Sequence, residues 1–158
     1  MKPYIPVSTL RDLFIYIPTT GDIFRCDDER FDWETVNGYY CIYAEGRRYF
    51  AHRIAWALHY GSWPVQYVDH INRDRTDNRI ANLRDVSCKI NQQNTLRPLG
   101  KQYPRGVYKT YHGDYAANIY VDGVRVDLQP LCRFNTPEEA FAFYELAKQA
   151  VHPGYVKL

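Results

Sequence analysis

The chain has 158 residues, of which 46% are hydrophobic and 16% aromatic, a composition that folds and that excludes a disordered or low-complexity polypeptide. Its net charge of +2 hides an asymmetry. Acids crowd the first forty-five residues (Asp12, Asp22, Asp27, Asp28, Glu29, Asp32, Glu34, Glu45), whereas the stretch from Arg73 to Lys109 sets Arg73, Arg75, Arg79, Arg84, Lys89, Arg97, Lys101, Arg105 and Lys109 against Asp74, Asp77 and Asp85. A locally basic middle favours a polyanionic partner. The four cysteines Cys26, Cys41, Cys88 and Cys132 form no C-x-x-C pair, so neither a structural zinc site nor a disulfide framework is expected. The N-terminal residues lack the apolar core of a leader, and no apolar run approaches membrane-spanning length. A cytoplasmic protein with free thiols and no membrane partner is the expectation.

In chain order, Ser8 is placed to cap a short helix carrying Leu10, Leu13 and Phe14. The segment Tyr16 to Arg25 turns at Thr19-Thr20-Gly21-Asp22. Gly38 to Phe50 reads as two strands around Ala44-Glu45-Gly46, a hairpin whose Tyr39, Tyr40, Tyr43 and Tyr49 suit strand packing. Ala51 to Tyr60 is an amphipathic helix with Ile54, Ala57 and Leu58 inward and Gly61 as its stop. Tyr67-Val68 opens a strand that ends in Asp69-His70. Ser87 caps a helix that places Asn91 about one turn inside, with Asn94 and Thr95 on nearly the same face. The proline- and glycine-bearing stretch 96–104 reads as a linker. Gly106 to Tyr111, Asp114 to Val121 and Val124 to Leu128 read as three strands, turning at His112-Gly113 and Asp122-Gly123. In the final helix Thr136 is the cap, Pro137 the first position and Glu139 completes a capping box. Ala140, Phe143, Tyr144, Ala147 and Val151 are its expected apolar stripe, and Pro153-Gly154 ends it.

The chemistry-bearing stretch runs from Val68 to Asn94. An acid stands next to a histidine (Asp69-His70), Asn82 follows twelve residues after that histidine, and Asn91 nine residues later. A carboxylate and an amide oxygen are the donors a hard divalent cation takes, and imidazole titrates where it can accept a proton from water. Neighbouring residues of a regular strand face opposite ways, so Asp69 and His70 can share a site only if the strand ends or bends there. Arg73, Arg75, Arg79 and Arg84 are candidate phosphate contacts. Asn78, after Asp77, reads as a turn former, and Asn94 as a substitute ligand for Asn91. His52 reads as a helix-start residue packing the hairpin. His59, His112 and His152 have no assigned partner.

Asp69-His70, Asn82-Leu83 and Asn91 resemble the HNH, or ββα-metal, endonuclease motif, in the His-Asn-Asn variant of phage and intron homing endonucleases. The lead-in Ala51-His52-Arg53-Ile54-Ala55-Trp56 is similar too, so the resemblance spans roughly residues 15 to 95. It implies His70 as general base, Asp69 and Asn91 as ligands to one divalent metal ion, and Asn82 as the residue that holds the loop and the histidine in place. An amide at position 91 favours Mg²⁺ or Mn²⁺ over zinc. The C-terminal segments Arg105-Gly106-Val107-Tyr108, Tyr115-Ala116-Ala117-Asn118-Ile119 and Thr136-Pro137-Glu138-Glu139-Ala140 resemble the Apetala-type DNA-binding domain, which implies Arg105, Tyr108, Lys109, Asn118, Tyr120 and Arg125 as DNA contacts. Asp127 and the stretch 129–133 depart from that pattern.

The expected fold is α+β. A β-hairpin region (1–50) precedes a ββα-metal nuclease core (51–95), a linker (96–104) and an Apetala-like domain (105–158) of three antiparallel strands packed on one helix. The expected activity is hydrolysis of phosphodiester bonds in double-stranded DNA by a phage-encoded, homing-type enzyme. A monomer with one site would nick, in the cytoplasm of the infected bacterial host. The alternatives are a DNA-binding regulatory or packaging protein with a vestigial nuclease site, and a protein that binds or cuts RNA.

Overall fold

Helix and turn signals of short range decide most of the elements. A computed structural model describes residues 4–27, 34–95, 102–128 and 133–157, and these divide between two compact units, 1–91 and 92–158. The fold is mixed α and β with small antiparallel sheets, as expected.

The first unit begins with helix α1 (Val7–Leu13). Its N-cap is Pro6, whose side chain accepts nothing, so the expected cap at Ser8 is corrected: Ser8 lies inside the first turn, and Phe14 leaves the helix in extended conformation. Strands β1 (Phe14–Tyr16) and β2 (Ile23–Arg25) pair as a hairpin across the anticipated turn. Next come β3 (Glu34–Val36), β4 (Tyr39–Ala44) and β5 (Arg47–Phe50), a three-stranded sheet ordered β3-β4-β5. β3 was not anticipated. Helix α2 (Ala51–Tyr60) spans the expected residues and closes at Gly61, whose φ of 74° is a left-handed cap. Strand β6 (Tyr67–His70) pairs antiparallel with β7 (Leu83–Val86), the second strand that a ββα core requires, although its residues were not placed beforehand; a short 3₁₀ turn (Ile80–Asn82) precedes β7, and helix α3 (Cys88–Gln93) follows it.

One hydrophobic core gathers Leu10, Phe14, Ile23, Ile42, Tyr49, Ala51, Ile54, Ala55, Ala57, Val68 and Leu83. The hairpins of residues 1–50 and the elements that carry Asp69, His70 and Asn82 therefore share one interior. Each large side chain buried there contributes about 1.5–3 kcal/mol. A substitution such as Ile54→Ala thus acts on the site without touching it. The expected linker 96–104 lies outside the described residues from 96 to 101.

The second unit holds β8 (Val107–Lys109), β9 (Tyr115–Val121) and β10 (Val124–Asp127), a sheet ordered β10-β9-β8, and helix α4 (Pro137–Val151). Asp122 and Gly123 both have positive φ (51° and 84°), as a tight hairpin turn demands. The Thr136 side chain accepts from the Glu139 amide at 3.2 Å, and the Glu139 carboxylate reaches back to the Asn135 amide at 3.0 Å. The buried stripe of α4 is Ala140, Tyr144 and Lys148, whereas Phe143 and Val151 are exposed; the helix is rotated from the expected face. Lys148 is 2% exposed, with Nζ donating to the Thr95 carbonyl at 3.0 Å and lying over the Tyr144 and Tyr155 rings, which satisfies the ammonium.

Gly106 explains why Tyr144 faces the sheet. At φ +84° a Cβ at this position would sit 2.3 Å from the Tyr144 ring and 2.8 Å from the Asn118 carbonyl oxygen. Only glycine permits both the backbone angle and the ring. Gly106→Ala is expected to destabilise the second unit by about 1–3 kcal/mol, seen as faster amide exchange in β8–β10 with β6–β7 unchanged; equal exchange in both proteins would refute the close-approach argument.

Candidate active site

Strand β6 carries the two residues at the centre. Val68, Asp69 and His70 are all buried, and the strand ends at His70, as the sharing of one site by Asp69 and His70 requires. The pairing continues to His70 opposite Leu83, and the Ile71 amide donates to the Asn82 carbonyl at 2.8 Å. Asp85, on β7, accepts from the Val65 and Gln66 amides at 2.8 and 2.9 Å and fixes the entry into β6.

The loop beyond His70 is held by side-chain amides. Asn82 Oδ1 accepts from the Asn72 amide at 2.9 Å while its Nδ2 donates to the Asp77 carbonyl at 2.8 Å, so one buried side chain ties both ends of the loop. Asn72 Nδ2 donates to Asp77 Oδ2 at 2.7 Å, and Asn72 Oδ1 accepts from the Asp74 amide at 2.9 Å. Arg79 pairs with Asp77, whose carboxyl is held below the ordinary range chiefly by the hydrogen bond from Arg79.

His70 is 4% exposed, and its Nε2 lies 3.2 Å from Asn78 Oδ1. Burial lowers the His70 pKa, opposed by the Asn78 hydrogen bond and the charges of Asp69, Asp74 and Asp77. The ring therefore favours its neutral form, the form that can take a proton. Behind it stand Tyr39, at 5.8 Å between ring centroids, and His52, at 5.1 Å and nearly perpendicular. His52 also stacks on Phe50, so it packs the hairpin as expected and touches His70 in addition. Asn78 is the residue that sequence reasoning missed. It is 3% exposed and bonded to the histidine, where its place beside Asp77 in a polar run pointed to a turn.

Asp69 Oδ2 accepts from both Nε and the terminal nitrogen of Arg84, at 2.9 and 2.7 Å, so Arg84 stands on the carboxylate rather than on the open surface. Asn91 is half-buried in α3, its own amide bonded to the Ser87 carbonyl at 2.9 Å, and its side chain bonds no described residue. Asn94 is buried just past the helix end. Among the loop arginines, Arg73 sits at φ +64°, and Arg75 donates to the Asn37 carbonyl at 2.6 Å and covers the Tyr39 ring. Thus Asp69, His70 and Arg84 are brought together on the β6–β7 pair, with Asn82 in the 3₁₀ turn before β7 and Asn78 added.

Residues 49–93 match the HNH endonuclease family. The match covers the end of β5, α2, the β6–β7 pair and α3, and it leaves out the three-stranded sheet and α4 of the second unit. An HNH domain indicates a nuclease acting on nucleic acid, and nucleases of this kind generally use a divalent metal ion. Neither a curated protein nor a solved structure matches the chain. Among the described residues no helix is long and apolar enough to cross a membrane. Nor do three or more His, Cys, Asp or Glu side chains cluster there as a metal cage. The HNH segment does carry two hard oxygens, the Asp69 carboxylate, which Arg84 engages, and the Asn91 amide, and oxygen donors suit a hard cation rather than zinc.

In the second unit the sheet residues Tyr115, Ala117, Ile119 and Val121 are half- or fully buried, with Ala117, Ile119 and Val121 packed with Tyr144, and Tyr120 is 59% exposed, which is the expected alternation. Arg125 lies over the half-buried Tyr108 ring at 5.4 Å and pairs with Asp127 at 2.8 Å. The exposed Lys109 ammonium lies over Tyr115, Asn118 is half-buried opposite Asp127, and Arg105 donates to the Thr95 carbonyl at 3.2 Å.

His52 gives a pH test of the packing. Burial first, then the charges of His70 and Arg53, lower its pKa from 6.5 to about 3. The unfolded chain therefore binds a proton that the folded one refuses. The stability is full above pH 6.5 and is lost as pH falls toward 3, by on the order of a few kcal/mol. In His52→Leu the fall of the urea midpoint between pH 6.5 and 4 should be shallower than in the parent; equal slopes would contradict the assignment.

Proposed function

We propose that the chain is a metal-dependent DNA endonuclease of the phage homing type, in which His70 is the general base that activates water for attack on a phosphodiester. The observation that carries the reading is the buried, neutral-favouring His70 beside Asp69 on the β6–β7 pair, with Asn82 tying the loop that follows. Asp69 and Asn91 would hold one Mg²⁺ or Mn²⁺ ion. When bound, such an ion neutralises the scissile phosphate and stabilises the leaving oxygen.

The remaining work belongs to the protein's own side chains. His70 accepts the proton of the attacking water, in a site from which burial excludes bulk solvent. Arg84 holds the Asp69 carboxylate in one orientation through two N–H groups on one oxygen. Arg73, Arg75 and Arg79 line the loop as phosphate contacts, each able to exchange a present partner for a backbone phosphate. The module 105–158 binds duplex DNA through the outward face of its sheet, with Tyr108, Lys109, Asn118, Tyr120, Arg125 and the preceding Arg105 as contacts; the three-stranded sheet on one helix supports that reading. A single site on a monomer cuts one strand.

Supercoiled plasmid incubated with Mg²⁺ or Mn²⁺ should convert to open circles, and EDTA or His70→Ala should abolish the conversion, by 10²-fold or more for the loss of a general base. Linear product instead of open circles would refute nicking by a monomer. No conversion of plasmid or phage genomic DNA, with gel-shift binding intact, would overturn the enzyme reading in favour of a DNA-binding protein. Stronger retention and cutting of duplex RNA would overturn the choice of DNA. Asp69→Ala and Asn91→Ala should each raise the Mn²⁺ concentration for half-maximal cleavage at least tenfold, and an unchanged value for either would remove that residue from the ligand set.

A further inference from the structure

We infer that Asn78 is a positioning residue for His70: its side-chain amide oxygen fixes the imidazole in the Nε2-protonated tautomer, so that Nδ1 is the nitrogen that carries the lone pair. The inference rests on the proposed role of His70 for its consequence in cleavage, while the tautomer itself is a property of the resting protein.

The chemistry follows from the partners. Asn78 Oδ1 lies 3.2 Å from His70 Nε2, and an amide oxygen has no proton to give. A hydrogen bond between them therefore requires the hydrogen on Nε2. In a neutral imidazole the other nitrogen is then the acceptor, and which nitrogen carries the proton is set by the bond the ring makes. Both residues are buried, at 4% and 3% exposed, so water competes little for either atom.

Such a contact sets a tautomer only if the amide is itself held, and the backbone around Asn78 is fastened from three directions. The Tyr16 hydroxyl donates to the Asn78 carbonyl at 2.7 Å. The Ile80 amide donates to the Pro18 carbonyl at 3.1 Å, and the Asn78 amide to the Thr76 carbonyl at 3.1 Å. Gly21, at φ +85°, lies so close that a Cβ there would be 2.8 Å from the Asn78 carbonyl carbon and 2.6 Å from the Arg79 nitrogen. The β1–β2 hairpin thus presses the loop against β6, and this gives residues 14–25, which precede the matched HNH segment, a part in the site. On the far side, Tyr39 and His52 limit rotation of the His70 ring.

Nitrogen-15 NMR of the metal-free full-length protein, labelled at histidine and held above the titration range of His70, reads the tautomer directly. The Nε2-protonated form is expected in the parent and in Asn78→Asp, which keeps an oxygen acceptor. Asn78→Leu should show a mixture or the reverse. In steady-state cleavage, Asn78→Leu should lower kcat by about 10–100-fold with KM for DNA unchanged, and Asn78→Asp should recover most of that loss. An Nδ1-protonated ring in the parent overturns the inference whether or not the protein cuts DNA. So does an unchanged tautomer in a folded Asn78→Leu protein. A protein that cuts nothing but shows the expected tautomer changes refutes the nuclease reading alone.

Discussion

From Asn72 to Arg79 not one side chain is apolar, so this loop cannot hold a shape by burying surface. Its conformation depends on hydrogen bonds, and the bonds converge on Asn82. One primary amide has one acceptor and one donor group, and here the acceptor takes the Asn72 amide while the donor satisfies the Asp77 carbonyl. Because Asn82 is buried next to Leu83, a core residue, the loop is tied to the interior of the first unit rather than to solvent. Losing this amide would leave a half-buried carbonyl and a half-buried N–H without their partner, at about 1 kcal/mol each. Asp77 takes its place from that tie, between His70 on the strand and Asn78 in the loop.

The electrostatics follow from the same burial. A carboxylate at 8% exposure needs a counter-charge, and Arg84, directly opposite in the β6–β7 register, supplies it at Oδ2. A histidine at 4% exposure resists protonation. Burial thus acts on the two neighbours in different ways: it is met at Asp69 by the Arg84 guanidinium, and at His70 it favours the neutral ring.

How much of this was legible beforehand depends on range. Helix α2 and the cap of α4 were readable because Gly61, Thr136, Pro137 and Glu139 act within one turn. The hairpin at Asp122-Gly123 was readable for the same reason. Asp69, His70, Asn82 and Asn91 stood out by their spacing, although whether Asp69 and Asn91 share an ion is a matter of tertiary geometry. Strand β3 was missed, and β7 was implied by the ββα resemblance without being placed, since three or four residues such as Glu34–Val36 or Leu83–Val86 give no period to detect. The burial of Asn78 depends on Tyr16 and Gly21, some sixty residues away, and nothing local announces it. The face of α4 turned on a single long-range fact, the seating of Tyr144 on Gly106, and on a lysine that finds a carbonyl and two rings inside. Arg84 was read as a phosphate contact and Arg125 as a DNA contact implied by resemblance, because sequence does not reveal that Asp69 and Asp127 lie across from or beside them.

The account stands on His70 acting as a base in cleavage. The direct measurement is chemical rescue: His70→Gly, confirmed as folded and DNA-binding, is assayed for plasmid nicking with Mn²⁺ across a series of imidazole concentrations. The account predicts that activity returns in proportion to the free imidazole base. A folded, DNA-bound variant that nicks as fast as the parent without imidazole would contradict it and send the search for the base elsewhere.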